Sequence, residues 1–241
     1  MTHKVALVIG AGDALGGAIA RKFAGEGFLA CVVRRNGDKL APLVDEIRAA
    51  GGAAEAFGVD ARKEEEMVEL AARIERDHGT LEVAVFNIGA NVSFGILETT
   101  ARVYFKVWEM ACFAGFLTGR EAARHMLPRG RGTILFTGAT ASLRGRANFS
   151  AFTGAKNALR ALAQSMAKEL APKGIHVAHI VVDGAIDTAF IRDNFPQRYA
   201  LKDQDVILNP DHIAENYLLL HRQPRDAWTQ ELDLRPWIEN W

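Results

Sequence analysis

Short apolar segments alternate with longer amphipathic segments from one end of the chain to the other. The apolar segments lack polar alternation, which is typical of strands covered by helices on both faces. They occupy residues 5–9, 29–33, 54–59, 81–86, 133–137, 176–182 and 229–234. Helical patterns occupy residues 14–25, 38–50, 63–78, 101–127, 148–171 and 211–222. This order predicts an α/β fold with right-handed crossovers and a doubly wound parallel sheet of about seven strands.

The composition indicates one soluble domain that spans residues 1–241, because no low-complexity linker interrupts the pattern. The formal net charge is zero, which argues against binding to nucleic acid or to an anionic membrane. No apolar run is long enough for a membrane span, and no secretory leader precedes the first strand, so we expect a cytoplasmic protein. Cys31 and Cys112 lie in apolar stretches and are expected to be buried free thiols rather than a disulfide. The histidines show no metal-ligand spacing, so no metal site is expected.

A glycine-rich turn joins the first predicted strand to the first predicted helix. It reads Gly10-Ala11-Gly12-Asp13-Ala14-Leu15-Gly16. Glycines in this position let backbone amides approach a pyrophosphate at the positive end of the helix. We therefore predict that Gly10, Gly12, Leu15 and Gly16 contact a nucleotide. A tight turn used only for packing is the alternative, and Asp13 is a candidate cap of the helix.

Two arginines, Arg34 and Arg35, follow the second predicted strand. An acidic residue here would accept hydrogen bonds from the adenosine ribose and repel a 2′-phosphate, whereas guanidinium groups match phosphate oxygens. The pair therefore favours NADP(H) over NAD(H), unless both arginines are ordinary surface charges. Asp60 ends the third predicted strand and is a candidate acceptor for the adenine amino group, or alternatively a helix cap.

Taken together, these residues resemble the short-chain dehydrogenase/reductase family, whose members have a Rossmann-like fold. The resemblance rests on residues 10–16, 60, 86–89, 132–145, 152–156, 183–188 and 209–214. It implies that Asn87 and Gly89 steady the sheet beside the adenosine, and that Gly184 and Thr188 lie against the nicotinamide. It also implies that Lys156 holds the nicotinamide ribose. By the same resemblance we expect a small-molecule substrate and a homodimer or homotetramer.

The family's catalytic residues are an Asn, a Ser, a Tyr and a Lys, and this chain matches only the last. The Tyr position falls on Phe152, the Ser position on Ala139 and the Asn position on Ala111, while the Lys is Lys156. A phenyl ring has no proton to give, so the predicted catalytic site is altered. Ser142 is the candidate for a displaced substrate-binding hydroxyl, with an ordinary loop serine as the alternative.

Two functions remain open on these residues. The first is an NADP(H)-linked oxidoreductase that acts on a small carbonyl or alcohol with an altered catalytic site, in which Lys156 and Ser142 take part. The second is a catalytically impaired dinucleotide-binding protein that serves as a sensor or as a partner subunit. A fold alone does not decide between them.

Overall fold

A seven-stranded parallel sheet forms the centre of the molecule in the computed structural model, which describes residues 3–239. The strand order is β3-β2-β1-β4-β5-β6-β7. The strands are β1 His3–Ile9, β2 Leu29–Arg34, β3 Ala53–Gly58, β4 Gly79–Phe86, β5 Gly132–Thr137, β6 Ile175–Val182 and β7 Glu231–Leu234. The predicted parallel α/β architecture is confirmed. The domain prediction covered residues 1–241, of which the first two and the last two lie outside the described residues.

Helices cover both faces of this sheet. They are α1 Leu15–Gly25, α2 Ala41–Ala49, α3 Glu64–Arg73, α4 Ala101–Trp108, α5 Ala114–Met126, α6 Ser150–Leu170, α7 Ala189–Asn194, α8 Pro196–Tyr199 and α9 Pro210–Arg222. A π-helical turn, Glu109–Phe113, joins α4 to α5, so the predicted 101–127 helix is one rod with a local irregularity. The short helices α7 and α8 lie in a segment where the sequence predicted no element.

Strand β1 shows why the apolar runs form a buried sheet. Its side chains alternate between the two faces, with Ala6 and Val8 in one apolar layer and Val5, Leu7 and Ile9 in the other. The first layer is completed by α1, α2 and α9, and the second by α3, α5 and α6. Because helices cover both faces of the sheet, the side chains on both sides of a strand are buried. A strand in this position can therefore be apolar throughout, without polar alternation.

Residues that start and stop the helices behave largely as the sequence indicates. Asn209 caps α9 by accepting a hydrogen bond from the Asp211 amide at 2.8 Å, and Pro210 occupies the first turn. After α6 the chain makes a short 3₁₀ turn and leaves the helix at Gly174, whose φ is +85°. Helix α1 is different, because its N-cap residue is Ala14 and no side chain caps its first amides. The prediction that Asp13 caps this helix is therefore wrong.

The strand order reverses direction between β1 and β4, which are hydrogen-bonded neighbours in the sheet. The crossovers on either side of this pair diverge, so a crevice opens at the carboxyl ends of the central strands. Cys31 and Cys112 are free and buried, as predicted. Within residues 3–239, no helix combines the length and the apolarity that a bilayer crossing requires.

Candidate functional site

A cleft of about 610 Å³ lies at the carboxyl ends of β1, β2, β3 and β4. Seven of the predicted cofactor-binding residues line it: Gly10, Gly12, Arg34, Arg35, Asp60, Asn87 and Gly89. Three further lining residues, Lys39, Arg62 and Met110, were not predicted from the sequence. The volume lies within the range of small-molecule and cofactor sites.

The glycines of the turn after β1 have three different roles. Gly10 adopts a φ of +87°, and a β-carbon there would lie 2.8 Å from the carbonyl oxygen of Asn87. Gly16 is buried, and a β-carbon on it would overlap the carbonyl oxygen of Gly10. A β-carbon on Gly12, in contrast, would meet no atom within 4 Å. Packing therefore requires glycine at positions 10 and 16, whereas at position 12 the absent side chain leaves room within the cleft.

The amino end of α1 faces the same turn. No acidic residue lies in its first turn and no side chain caps it, so no side chain of that turn offsets the positive end of the helix dipole. Leu15 is buried at the first position of this helix. An anion such as a pyrophosphate would satisfy the first amides of the helix.

Asn87 ties the turn to the centre of the sheet. Its side-chain amide donates to the carbonyl oxygen of Gly10 at 3.3 Å, and its backbone amide donates to Ile9 at 2.8 Å. Gly89, two residues later, resembles Gly12 in that a β-carbon on it would meet no atom within 4 Å. Gly12 and Gly89, where a side chain would meet no protein atom, therefore lie on two walls of the same cleft.

The β2 end of the cleft is rich in cations. Arg34, Arg35 and Lys39 line it, and none of the three forms an ion pair with a carboxylate among residues 3–239. Asp60 is already engaged, because Arg62 binds its two carboxylate oxygens at 2.9 and 2.6 Å. These hydrogen bonds lower the pKa of Asp60 to about 2, so Asp60 is a carboxylate across the physiological pH range. The unpaired charge in this region is positive, which suits a phosphate.

Lys156 is almost completely buried beside the post-β4 loop, at 2% exposure. Its ammonium donates to the carbonyl oxygen of Thr137 at 2.8 Å and to that of Ile88 at 3.1 Å. Burial lowers the pKa of Lys156 from 10.5 to about 8, because the charged form loses its hydration. Ile88 lines the cleft and Lys156 does not, so the ammonium lies directly behind the cleft wall.

The three positions that the resemblance assigns to Asn, Ser and Tyr lie in a single apolar cluster. Ala111 and Phe152 are buried members of this cluster, and Ala139 packs against it. Ala111 lies within the π-helical turn and is fully buried. In place of the family's three polar side chains, these positions carry two methyl groups and a phenyl ring.

Ser142 is fully buried rather than exposed to the cleft. Its hydroxyl accepts a hydrogen bond from the Ala139 amide at 3.1 Å and so fixes the 3₁₀ turn Thr140–Ser142. Behind it, His179 is also buried, and its Nδ1 pairs with Glu231 at 3.0 Å. A direct contact between Ser142 and a substrate would require this turn to rearrange.

Gly184 and Thr188 follow β6 and do not line the cleft. The hydroxyl of Thr188 caps α7 by accepting from the Ile191 amide at 3.2 Å. Asp183, the residue before Gly184, is fully buried. Its carboxylate accepts from Thr140 at 2.5 Å and pairs with Arg144 at 3.0 Å. The partners of Asp183, Thr140 and Arg144, lie about 40 residues before it in the chain. These contacts could not be predicted from the sequence.

The chain resembles proteins of known sequence and structure over most of its length. A family model described as short chain dehydrogenase matches residues 4–198. A crystal structure of a short-chain dehydrogenase from Rhodopseudomonas palustris is 52% identical, covers 97% of this chain and 99% of that chain, and gives a TM-score of 0.83. A metagenomic short-chain oxidoreductase in complex with NADP is 26% identical, with 98% of both chains covered and a TM-score of 0.80.

The chain is also similar in sequence to a bacterial dehydrogenase. The 2,3-dihydro-2,3-dihydroxybenzoate dehydrogenase of Bacillus subtilis strain 168 is 30% identical over 77% of this chain and 70% of that protein.

Proposed function

The chain belongs to the short-chain dehydrogenase/reductase family of oxidoreductases, and on this basis we propose that it binds NADP(H) and acts on a small carbonyl or alcohol with an altered catalytic site. The main support for this proposal is the shape and the charge of the cleft. Gly12 and Gly89 leave room on two of its walls, and Arg34, Arg35 and Lys39 are unpaired cations at one end. These features fit a phosphorylated dinucleotide better than they fit a turn kept for packing alone.

The proposed binding mode assigns each part of the cofactor to residues of this chain. Gly10, Gly12, Leu15 and Gly16, with the amino end of α1, would hold the pyrophosphate. Arg34 and Arg35 would hold the 2′-phosphate, which is the basis for preferring NADP(H) to NAD(H). Asp60, Asn87 and Gly89 would flank the adenosine. Lys156, Gly184 and Thr188 would border the nicotinamide riboside, as the family resemblance implies.

The bound cofactor would supply or accept a hydride, and the chain must then manage one proton. The Phe152 ring cannot donate it. In this proposal Lys156 is the donor once its ammonium leaves the carbonyl oxygens of Thr137 and Ile88; burial brings its pKa to about 8, close to the operating pH that favours proton transfer. Ser142 acts as a positioning residue that holds the Ala139 turn. The absence of a phenol beside Lys156 is expected to cost about 10²–10⁴ in rate.

A dinucleotide-binding protein without turnover is the second candidate. The apolar cluster around Phe152 favours it, because no hydroxyl replaces the phenol at that position. The two candidates differ in an assay of NADPH oxidation over a panel of small aldehydes and ketones. Turnover that Lys156→Ala abolishes supports the enzyme, whereas NADPH binding without turnover supports the binder.

We also propose that the protein is a homo-oligomer that associates through the α4–α5 rod. Phe105, Trp108, Phe113 and Phe116 stack in series along this rod, with ring centroids 5.8 to 6.1 Å apart. Three of them are exposed, Phe105 by 58%, and contiguous exposed apolar surface is typical of an interface. Light scattering should report a dimer or tetramer, and Trp108→Lys should shift it toward monomer. A wild-type monomer would refute this part of the proposal.

A further inference from the structure

A second cavity of about 510 Å³ lies between the loop after β4 and helix α4. Residues 89–92 and 94 of the loop form one wall. One face of α4 and of the π-helical turn forms the other, with Val103 and Met110 among its residues. Gly89 and Met110 also line the dinucleotide cleft, so the two spaces are neighbours. Arg34, Arg35 and Asp60 line only the dinucleotide cleft.

The interior of the second cavity is apolar and its rim is cationic. Valine, alanine and methionine side chains line the interior, and Phe94 stands at the wall with 42% of its surface exposed. The two cations in the lining are Arg102 and Lys106, both on exposed positions of α4. An apolar cavity with a few convergent polar groups is the usual form of a small-molecule site.

Arg102 is a surplus charge at this rim. It forms no ion pair with a carboxylate among residues 3–239. The neighbouring ammonium of Lys106 lies 3.0 Å from Glu109, but Glu109 is shared with Arg62 at 3.5 Å. Arg62 in turn pairs with Asp60. The three cations Arg102, Lys106 and Arg62 therefore have only two carboxylates, those of Glu109 and Asp60, near them. The excess positive charge lies at the rim of the second cavity.

The position of Arg102 in α4 does not serve the stability of that helix. Arg102 lies in the first turn, where the helix dipole disfavours a cation, and no acidic residue occupies that turn. Thr100 already caps the helix by accepting from the Val103 amide at 3.2 Å. An anion bound at Arg102 would relieve both the unpaired charge and the unfavourable dipole.

We propose that the second cavity binds a small apolar monocarboxylate, with its hydrocarbon part against Val103 and Met110 and its carboxylate on Arg102 and Lys106. A guanidinium binds a carboxylate through two parallel hydrogen bonds, which gives such a site its specificity. The ligand would lie beside the dinucleotide, separated from it by Gly89 and Met110. This proposal does not depend on the reaction proposed for the cleft, although the two spaces share Gly89 and Met110 in their linings.

Titrations with octanoate, 1-octanol and acetate, followed by ligand-observed NMR without nucleotide, test this site. Octanoate should bind saturably at one site per chain, and acetate should not, because it lacks the apolar part. Arg102→Gln should weaken octanoate at least tenfold and leave 1-octanol unchanged. Val103→Phe, which narrows the cavity, should weaken both octanoate and 1-octanol. Lys168→Gln removes an exposed lysine on a different helix, α6. It should change neither the octanoate affinity nor the 1-octanol affinity.

The outcomes separate the site from the proposed function. Absence of saturable octanoate binding to protein that unfolds cooperatively would overturn the second site, whatever NADPH does. Equal octanoate affinities of wild type and Arg102→Gln would also overturn it, because the bound carboxylate would then lie elsewhere. NADPH binding is measured separately, so a failure there bears on the cleft alone.

Discussion

The ammonium of Lys156 lies 6.0 Å from the centroid of the Phe152 ring, one helical turn away on α6. A cation at this distance from a phenyl face is attracted to it weakly. The same cation beside a phenol would lower the pKa of that phenol and so prepare it to donate a proton. The Phe152 position is therefore where a single oxygen atom would change the chemistry most.

Phe152→Tyr should raise the rate of NADPH-dependent carbonyl reduction by about 10²–10⁴, the usual contribution of a general acid. The rate of NADPH oxidation over a panel of small aldehydes and ketones measures the effect. Phe149→Tyr is the matched control, since Phe149 packs against the same apolar cluster just before α6. If Phe152→Tyr is no faster than Phe149→Tyr at saturating NADPH, the proposed role of this position is wrong.

Burial of Lys156 should make stability rise with pH in the alkaline range. The folded pKa is about 8 and the ordinary value is 10.5, so between these values the unfolded chain binds more protons and folding becomes more favourable. Relative to Lys156→Met, the wild type should gain about 2 kcal/mol of unfolding free energy between pH 7 and 9.5. Urea unfolding at both pH values measures it. If the unfolding free energies of the wild type and of Lys156→Met change equally between the two pH values, the ammonium of Lys156 is hydrated in the folded protein and the prediction is wrong.

Gly12→Val should weaken dinucleotide binding without unfolding the protein. The added side chain meets no protein atom near its β-carbon but occupies the cleft, so NADPH affinity should fall at least tenfold. The melting temperature should stay within a few degrees of the wild-type value. Gly25→Ala is the control, because its β-carbon also meets no atom within 4 Å and Gly25 lies at the far end of α1. A Gly12→Val protein that binds NADPH normally would exclude the turn from the site.

Arg34→Ala and Arg35→Ala should weaken NADPH selectively. A charge-assisted hydrogen bond to phosphate contributes about 1.5–3 kcal/mol, which corresponds to about 10–100-fold in affinity. NADH affinity should change less than threefold, because NADH lacks the 2′-phosphate. Fluorescence titration with both nucleotides measures the ratio. A proportional loss for NADH and NADPH would mean that these arginines are ordinary surface charges near the cleft.

The sheet was predictable because its strands are buried on both faces and therefore lack polar alternation. The strand boundaries agree within two residues, from the predicted 5–9 against the observed His3–Ile9 to 229–234 against Glu231–Leu234. Helices α7 and α8 were missed because they are short and have no buried face to impose a period: no residue of either is buried.

The candidate site was only partly predictable, for a physical reason. Gly10 and Asn87 directly follow strands and Arg34 is the last residue of β2, and the ends of parallel strands meet at one edge of the sheet. The environment of Lys156 and Ser142 depends instead on partners far along the chain. The burial that lowers the pKa of Lys156 comes from the packing of β4 and β5 against α6, and the Ser142 hydroxyl is taken by a local turn.

Isothermal titration of the wild-type protein with NADPH and NADH tests the central claim most directly. The claim is that the cleft after β1, with its cations after β2, holds a 2′-phosphorylated dinucleotide. We expect saturable binding of one NADPH per chain, at least tenfold tighter than NADH. Well-folded protein that binds neither nucleotide would contradict the claim.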